Sequence, residues 1–322
     1  YRERAGGLGV TTDAALHYVR VGEKLGIPPS PRFDPAYYAE RYPDVAASGM
    51  CLLAHFILHG NAEGRRGKPV ASDFTFDPAR YDADKETVLL VSHEASRTGA
   101  PVLALAIGSK LRERYNVATI LLRGGGLLEG FEEISAQTFA IEDSHRLPVE
   151  FKYILKSVLE HTRVAYAIVS SIESKDIVPS LGAASIPTVN LIHEFSAYSR
   201  PLRMVRESLG WTAELIFSTK LTAESFRKEH PGLRQRGLHI LPQGLCSIPT
   251  ALGDEELEAE QQKLREAMRP AGSEHATVLL KSARAKQAFA TGYQAHRLSA
   301  TCVDGSVEAS CEKCRYESKA NR

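Results

Sequence analysis

The chain has 322 residues, and its 40 lysines and arginines nearly balance its 39 aspartates and glutamates, which leaves a formal charge of +1. This balance argues against a strongly basic nucleic-acid-binding protein and against an acidic disordered tail. No apolar run approaches the roughly 20 residues that a membrane-spanning helix needs, so we predict no transmembrane segment. The five cysteines are odd in number and mostly late, which favours free thiols and a cytoplasmic setting over a disulfide scaffold.

The first 82 residues contain an internal repeat. The sequence Phe33-Asp-Pro-Ala-Tyr-Tyr38 recurs as Phe76-Asp-Pro-Ala-Arg-Tyr81, and residues 15–22 match residues 53–60. An aspartate followed by proline is a typical helix start, and a glycine is a typical helix end. We therefore predict a small α-helical repeat domain over residues 1–82, with two short helices in each unit.

Residues 83–250 alternate short apolar runs with amphipathic stretches. The apolar runs predict strands at 87–92, 116–122, 138–141, 166–170, 187–193, 214–218 and 238–242. The segments between them predict helices at about 100–115, 127–133, 149–161, 201–209 and 223–230. Strands separated by helices predict the α/β class, with a doubly wound, mostly parallel, Rossmann-like sheet.

Residues 251–322 have a different character. A polar, helix-favouring segment at 254–268 precedes an apolar run at 276–280, which reads as the first strand of another α/β unit. After Leu280 the periodicity is lost, and three of the five cysteines follow. We expect a linker helix and then an incomplete or aberrant start of a further domain, poorly ordered, as a truncated gene or a shifted reading frame would produce.

The loop after the first predicted strand is a candidate binding site, because ligands of open parallel sheets bind beyond the carboxyl ends of the strands. It reads Ser-His93-Glu-Ala-Ser-Arg-Thr-Gly99-Ala100-Pro101 and leads into a helix whose N-terminal amides suit a phosphate or a sugar hydroxyl. The loop contains neither Gly-x-Gly-x-x-Gly nor a P-loop. From the residues alone, a binding loop and an ordinary strand-to-helix turn are equally open.

Two further strand ends carry candidates. Gly124-Gly125-Gly126 follows the second strand, and taken alone it favours a flexible turn. His193 and Glu194 follow the strong strand 187–193, which places an imidazole at the edge of the sheet. Neighbouring side chains of an extended strand point to opposite faces, so we expect these two not to pair. A functional histidine and an ordinary strand-end histidine both remain open here.

The ordered set of segments supplies the context that single motifs lack. The stretch VLLVSHEASRTGAPVLALAIG is followed in order by AYAIVSS, PTVNLIHEF, ELIFSTKLTAESF and LHILPQGL. Together these resemble the first domain of retaining GT-B glycosyltransferases of family four, over about residues 87–249. The repeats resemble a short helical repeat of bacterial surface-polysaccharide enzymes.

The resemblance implies roles for particular residues. The first domain would bind the acceptor, the Gly99–Pro101 loop would lie near the donor diphosphate, and His193 would lie beside the transferred sugar as the catalytic residue. Pro242-Gln243-Gly244 stands where the family has Pro-Asn-Gly, a departure at one position. The candidate substrate-binding residues are His93, Gly99, Ala100, Pro101, Glu194, Ser218 and Gly244.

The donor half of such an enzyme is not recognisable. The family would supply an Arg-Lys-Gly turn and a pair of glutamates that hold the nucleotide, whereas Lys281-Ser-Ala-Arg-Ala-Lys286 stands after the last apolar run. These cations read as solvated charges rather than as a diphosphate clamp. We therefore expect little or no transferase activity from this chain alone.

Metal binding is weakly indicated. Cys311-Glu-Lys-Cys314 has Cys302 upstream but lacks the second half that a zinc site requires. His17 and His55 occupy equivalent places on apolar helix faces, where a packed, hydrogen-bonded histidine is favoured over a ligand. We predict no metal and no cofactor.

The leading hypothesis is a glycosyltransferase fragment of bacterial polysaccharide or glycan synthesis. Its partners would be a nucleotide-diphosphate sugar and a glycan or lipid-linked acceptor, with no nucleic acid, in the cytoplasm, and with peripheral attachment to the inner membrane face left open. The alternative is a non-catalytic scaffold that binds glycan or protein. A Rossmann oxidoreductase is disfavoured because no Gly-x-Gly-x-x-Gly follows a strand.

Overall fold

The computed structural model describes residues 1–9, 11–235, 238–244, 246 and 262, and the backbone of 298–303 and 306–311. The chain divides into two compact units, Tyr1–Ile248 and Pro249–Arg322. Three predicted features of the second unit lie outside the described residues: the strand at 276–280, the cations of 281–286 and the helix at 254–268. Of that helix, only Gln262 is described.

The N-terminal region consists of short helices. They are α1 (Ala14–His17), α2 (Pro35–Arg41), α3 (Pro43–Ser48) and α4 (Leu52–His55). Helices α1 and α4 each continue as one wider π-helical turn, Tyr18–Gly22 and Phe56–Gly60. Two 3-10 turns follow, Val70–Asp73 and Pro78–Arg80.

The two repeat copies make the same internal contact. The hydroxyl of Tyr1 lies 2.6 Å from Nδ1 of His17, and that of Tyr38 lies 3.1 Å from Nδ1 of His55. Asp34 caps α2 by accepting a backbone N–H of its first turn, as the Asp-Pro pattern predicts. The histidines are therefore hydrogen-bonded within the fold, as the sequence favoured.

The remainder of the first unit alternates strands and helices. The strands are β1 (Thr87–Ser92), β2 (Asn116–Leu121), β3 (Gln137–Ala140), β4 (Val164–Ser170), β5 (Thr188–Ile192), β6 (Glu214–Phe217) and β7 (Leu238–Ile240). The helices are α5 (Gly99–Leu111), α6 (Leu128–Ile134), α7 (Pro148–Leu159), α8 (Val178–Ala183), α9 (Leu202–Trp211) and α10 (Lys220–Glu229). Helix α8 is an element that the sequence pattern did not predict.

These strands form one parallel sheet in the order β3-β2-β1-β4-β5-β6-β7. Side chains alternate across β1: Val88 and Leu90 pack with residues of α5 and α6, while Leu89 and Val91 pack with residues of α7 and α8. The predicted fold class, a doubly wound parallel sheet covered on both faces, is confirmed.

A buried carboxylate joins the N-terminal helices to the sheet. Glu150 of α7 is fully buried and accepts hydrogen bonds from the Tyr37 hydroxyl at 2.5 Å and the Val70 N–H at 2.9 Å. The ring of Tyr37 also meets that of Tyr153 edge-on at 5.5 Å between centroids. Residues on both sides of position 82 thus share one core, and the domain boundary near that position stays a prediction.

The second unit contains a β-hairpin that the sequence reading missed. Strands β8 (Leu298–Val303) and β9 (Ser306–Cys311) pair antiparallel, with Leu298 opposite Cys311 and Val303 opposite Ser306. The sequence between them is Asp-Gly, a strong hairpin signal.

Within the described residues, no helix is both long and apolar enough to cross a membrane.

Candidate functional site

The candidate site lies at the carboxyl ends of β1, β4 and β5. The chain runs from β1 outward to β2 and β3, and then returns to β4 on the other side of β1. This reversal creates a crevice between the ends of β1 and β4, where open α/β sheets bind ligands. His93 follows β1, Ser171 follows β4 and His193 follows β5.

Within the described part of the chain, one ring nitrogen of His193 has a hydrogen-bond partner and the other has none. Its Nδ1 lies 2.7 Å from Nε2 of Gln243, in the segment after β7. Its Nε2 is buried and has no hydrogen-bond partner among the described residues. Burial lowers the pKa of His193 below its ordinary value; Glu194 opposes this shift and His93 adds to it. The ring is therefore neutral at neutral pH.

Glu194 is held by the protein through both carboxylate oxygens. Oε1 accepts the Ser171 hydroxyl at 2.5 Å, and Oε2 accepts the backbone N–H groups of Ile172 at 3.3 Å and His193 at 3.1 Å. The carboxylate thus contacts the backbone of His193 and ties together the ends of β4 and β5. This geometry fixes the position from which the His193 ring projects.

Ser171 adopts an unusual backbone conformation at this junction. Its φ of +74° lies in the region that favours glycine. Such a conformation costs about 1–3 kcal/mol and persists where surrounding contacts impose it. Here the serine hydroxyl donates to Glu194 and accepts the N–H of Glu173 at 3.1 Å, so two contacts hold the turn.

His93 is the second histidine of the crevice. Its Nδ1 is buried and has no hydrogen-bond partner in the described part of the chain. Burial lowers the pKa of His93, the carboxylates of Glu94 and Glu194 oppose the shift, and the cation of Arg146 reinforces it. The nearby His93 in turn contributes to lowering the pKa of His193.

Glu94 is likewise occupied by protein groups. Its Oε1 accepts the hydroxyl of Ser96 and lies 3.5 Å from that of Thr98, while its Oε2 lies 3.6 Å from the Arg123 guanidinium. The Nε2 of His93 is 3.7 Å from Oε1, too far for a hydrogen bond. The loop after β1 is therefore ordered by its own side chains.

Helix α5 begins at the predicted Gly99-Ala100-Pro101 loop. Thr98 is its N-cap residue but makes no side-chain capping bond to the first turn. The N–H groups of a first helical turn have no acceptor within the helix, and they carry the positive end of the dipole. A β-carbon built at Gly99 would meet nothing within 4 Å, so there is open space beside the first residue of the helix.

The glycine loop after β2 packs tightly on the loop after β1. A β-carbon at Gly125 would lie 2.5 Å from the carbonyl carbon and oxygen of Ala95. The Ala95 N–H donates to the Arg123 carbonyl at 3.0 Å, and its carbonyl accepts the Leu127 N–H at 2.7 Å. The sequence favoured a flexible turn, whereas close backbone approach is why glycine is needed at position 125.

The remaining predicted residues are more dispersed. Ser218 follows β6, half-buried, and its N–H donates to the Ile192 carbonyl at 3.4 Å. Gly244 is exposed directly after Gln243. Sequence reasoning missed the contacts of Gln243 with His193 and of Ser171 with Glu194. The replacement of the expected Asn by Gln at position 243 was the one available signal for the first of these.

Among the described residues, no group of three or more histidine, cysteine, aspartate or glutamate side chains could hold a metal ion.

No protein-family model and no curated protein matches the chain. Solved structures that resemble it include UGT2 from Phytolacca americana, complexed with UDP-2-fluoro-glucose and pterostilbene. That likeness has 8% identity and a TM-score of 0.37, over 56% of this chain and 58% of that chain. A UDP-glucosyltransferase from Polygonum tinctorium has 12% identity and a TM-score of 0.35, over 56% of this chain and 57% of its own.

A short-chain dehydrogenase from Rhodopseudomonas palustris has 14% identity and a TM-score of 0.27, over 51% of this chain and 99% of that chain. The chain spans little more than half the length of the proteins from Phytolacca americana and Polygonum tinctorium. At these TM-scores the likenesses carry no argument about function, and the fold class rests on the sheet itself.

Proposed function

We propose that the described unit is the acceptor-side domain of a retaining GT-B glycosyltransferase that uses a nucleotide-diphosphate sugar. The observation that carries the proposal is a pair of partly buried, uncharged imidazoles at the switch point of the sheet, each with one buried ring nitrogen that has no hydrogen-bond partner among the described residues. Neutral hydrogen-bonding groups in a crevice suit sugar hydroxyls, which offer both donors and acceptors. The ordered motifs over residues 87–249 supply the reaction class.

The proposal gives His193 the direct contact with the transferred sugar. Its Nε2 is a buried polar atom that lacks a partner among the described residues, and an oxygen of the sugar would satisfy it. Glu194 acts through His193 rather than on the sugar itself. Its carboxylate holds the end of the strand by accepting hydrogen bonds from the His193 N–H and the Ser171 hydroxyl. We thus treat Glu194 as a positioning residue.

The donor diphosphate would lie at the N-terminus of α5. Gly99 leaves room for it, and the first-turn amides with the positive end of the dipole favour its charge. A nucleotide diphosphate gains charge as it leaves, so fixed positive groups lower the barrier. The family's clamp of Arg and Lys belongs to a second domain, and we propose that this chain alone turns over little or no donor.

The carboxylates of the site argue against a glycoside hydrolase. Such enzymes use two carboxyl groups that are free to act as acid, base or nucleophile. Glu94 and Glu194 are both engaged by protein donors instead. Two neutral imidazoles beside a helix N-terminus fit group transfer from an anionic donor better.

The setting that we propose is cytoplasmic, in bacterial polysaccharide or glycan synthesis. The thiols Cys51 and Cys246 are free, which is consistent with reducing conditions. The acceptor would be a glycan or a lipid-linked glycan.

One observation favours the scaffold alternative. Val19 and Ile57, at equivalent positions of the two repeat copies, are 52% and 65% exposed. Apolar side chains repeated on a surface can mark a contact for another molecule. A scaffold predicts glycan binding that is lost in Ile57→Asp and unaffected by His193→Ala.

Calorimetric titration of the full chain with UDP-glucose, UDP-galactose, UDP-N-acetylglucosamine and GDP-mannose tests the enzyme proposal. We expect saturable binding of at least one of them, lost in His193→Ala and retained in the matched control His239→Ala. His239 is an exposed histidine of β7 that pairs with Glu214. Binding of NAD instead of any nucleotide sugar would favour an oxidoreductase, and rapid turnover abolished by His193→Ala would contradict the predicted inactivity.

A further inference from the structure

Gln243 lies against the catalytic candidate, although the sequence marked it only as a departure from a motif. It follows β7 in a segment whose Leu241 N–H extends the sheet by donating to the Phe217 carbonyl at 3.0 Å. The side-chain Nε2 of Gln243 then reaches Nδ1 of His193 at 2.7 Å. This contact joins residues that are 50 positions apart in the chain.

The chemistry of this contact determines where the imidazole proton lies. The nitrogen of a side-chain amide can only donate, so Nδ1 of His193 must accept. Since burial keeps the ring neutral at neutral pH, it carries a single proton, and that proton must be on Nε2. The Nε2–H is thereby a donor.

No described residue accepts a hydrogen bond from this Nε2–H group. Nε2 of His193 is buried and lacks a hydrogen-bond partner among the described residues. A buried donor left unpaired costs about 1–3 kcal/mol, which an acceptor oxygen of a ligand would offset. The Gln243 amide at Nδ1 therefore sets the proton on Nε2, the ring nitrogen that has no partner among the described residues.

The charged and titratable groups that act on the ring do not disturb this assignment. Glu194 and His93 are the neighbours that shift the pKa of His193. The carboxylate of Glu194 is taken by the hydroxyl of Ser171 and by backbone N–H groups, one of them that of His193. In the described structure Gln243 is thus the side chain that bonds Nδ1.

We propose that Gln243 is a positioning residue that holds His193 in its Nε2–H tautomer, so that the ring donates a hydrogen bond to a hydroxyl or phosphoryl oxygen of the bound sugar nucleotide. The ligand part of this proposal rests on the proposed function, whereas the tautomer does not. Without the amide, the proton would be free to exchange between the two nitrogens.

The length of the side chain matters for this role. Asparagine is shorter by one methylene, about 1.5 Å at most. From the same backbone position it would leave the amide nitrogen beyond hydrogen-bond distance of Nδ1. Asparagine is also the residue at this position in the family that the sequence resembles. Gln243→Asn is therefore a conservative change that should remove the hydrogen bond to Nδ1 of His193.

The test is long-range ¹H–¹⁵N correlation of the histidine rings in the full chain, without ligand, at neutral pH. His193→Ala assigns the signals of His193. The wild type should show a protonated Nε2 and an unprotonated Nδ1. Gln243→Ala and Gln243→Asn should shift the signals toward a tautomer mixture, and Gln243→Glu should move the proton to Nδ1, because a carboxylate can only accept.

His55 is the internal control, because its Nδ1 is bonded by Tyr38 and its signals should not change in any variant. An Nδ1–H tautomer in the wild type, or Nε2–H signals that persist in all three variants, would overturn the proposal. A second readout is affinity for whichever nucleotide sugar binds, which should fall about tenfold in Gln243→Ala. If no nucleotide sugar binds while the tautomer behaves as expected, the proposed function fails and the role of Gln243 stands.

Discussion

Replacing Glu150 measures how much the contact between the N-terminal helices and the sheet contributes to stability. This carboxylate is fully buried, with the Tyr37 hydroxyl at 2.5 Å, the Val70 N–H at 2.9 Å and Nε of Arg41 at 4.0 Å. Glu150→Ala would therefore leave two buried donors and one cation without their acceptor.

The size of the effect follows from these contacts. A hydrogen bond to a charged group contributes about 1.5–3 kcal/mol. Removing one partner of a buried ion pair costs about 3–5 kcal/mol, although the Arg41 side chain is 27% exposed and recovers some hydration. We expect Glu150→Ala to lower the free energy of unfolding by about 3–5 kcal/mol, or roughly 10 °C in Tm for a unit of this size. Tyr37→Phe should cost about 1.5–3 kcal/mol.

Urea denaturation followed by circular dichroism, with calorimetry for Tm, measures both effects in the full chain. The matched control is Glu160→Ala, an exposed glutamate just past α7 that lies 3.7 Å from Lys156, where we expect less than about 0.5 kcal/mol. The double variant of Tyr37 and Glu150 should cost less than the sum of the single changes, because the two share one bond. A Glu150→Ala effect no larger than the control's, or strict additivity, would refute this reasoning.

Three further outcomes follow from buried groups. Asn190→Leu should raise the free energy of unfolding by about 1–2 kcal/mol, since both polar atoms of this buried amide lack partners among the described residues. Stability should fall as pH drops below about 6.5, because the lowered pKa values of His93, His193 and His230 let the unfolded chain bind more protons there; His193→Gln should make that dependence less steep. Gly60→Ala should cost about 1–3 kcal/mol, because its methyl group would overlap the Tyr38 hydroxyl, whereas Gly210→Ala, with open space around it, should stabilise α9 by about 0.5–1 kcal/mol.

The same denaturation experiments check all three. Destabilisation by Asn190→Leu would mean that its amide has a partner that matters, such as a bound water. An unchanged pH dependence in His193→Gln would show that this ring does not lose its proton affinity on folding. Equal effects at Gly60 and Gly210 would contradict the close approach of the Tyr38 ring.

The strands were the most predictable part of the fold. The run 87–92 became β1 with the same bounds, because a strand buried on both faces is a continuous apolar segment. Helix α8 was missed, since Val178–Ala183 is short and follows a polar stretch without a clear apolar period. The hairpin β8–β9 was missed despite its Asp-Gly signal, because the surrounding composition had suggested loss of structure.

The site was only partly predictable. His93, His193 and Gly99 could be placed at strand ends because topology alone brings those ends to one edge. The contact of Gln243 with His193 spans 50 positions and depends on side-chain length, so no local pattern reveals it. For the same reason the burial of Glu150 was not foreseen, since its partners come from two distant segments.

The central claim is that the crevice at the ends of β1, β4 and β5 binds a nucleotide sugar, and ¹H–¹⁵N backbone mapping tests it most directly. Titrating the labelled full chain with the four nucleotide sugars should give saturable shifts at Gly99, Ala100 and His193, while the amide of Asn116, at the opposite edge of the sheet, stays unmoved. Saturable shifts confined to the edge around Asn116, or no shifts with any of the four at millimolar concentration, would contradict the account.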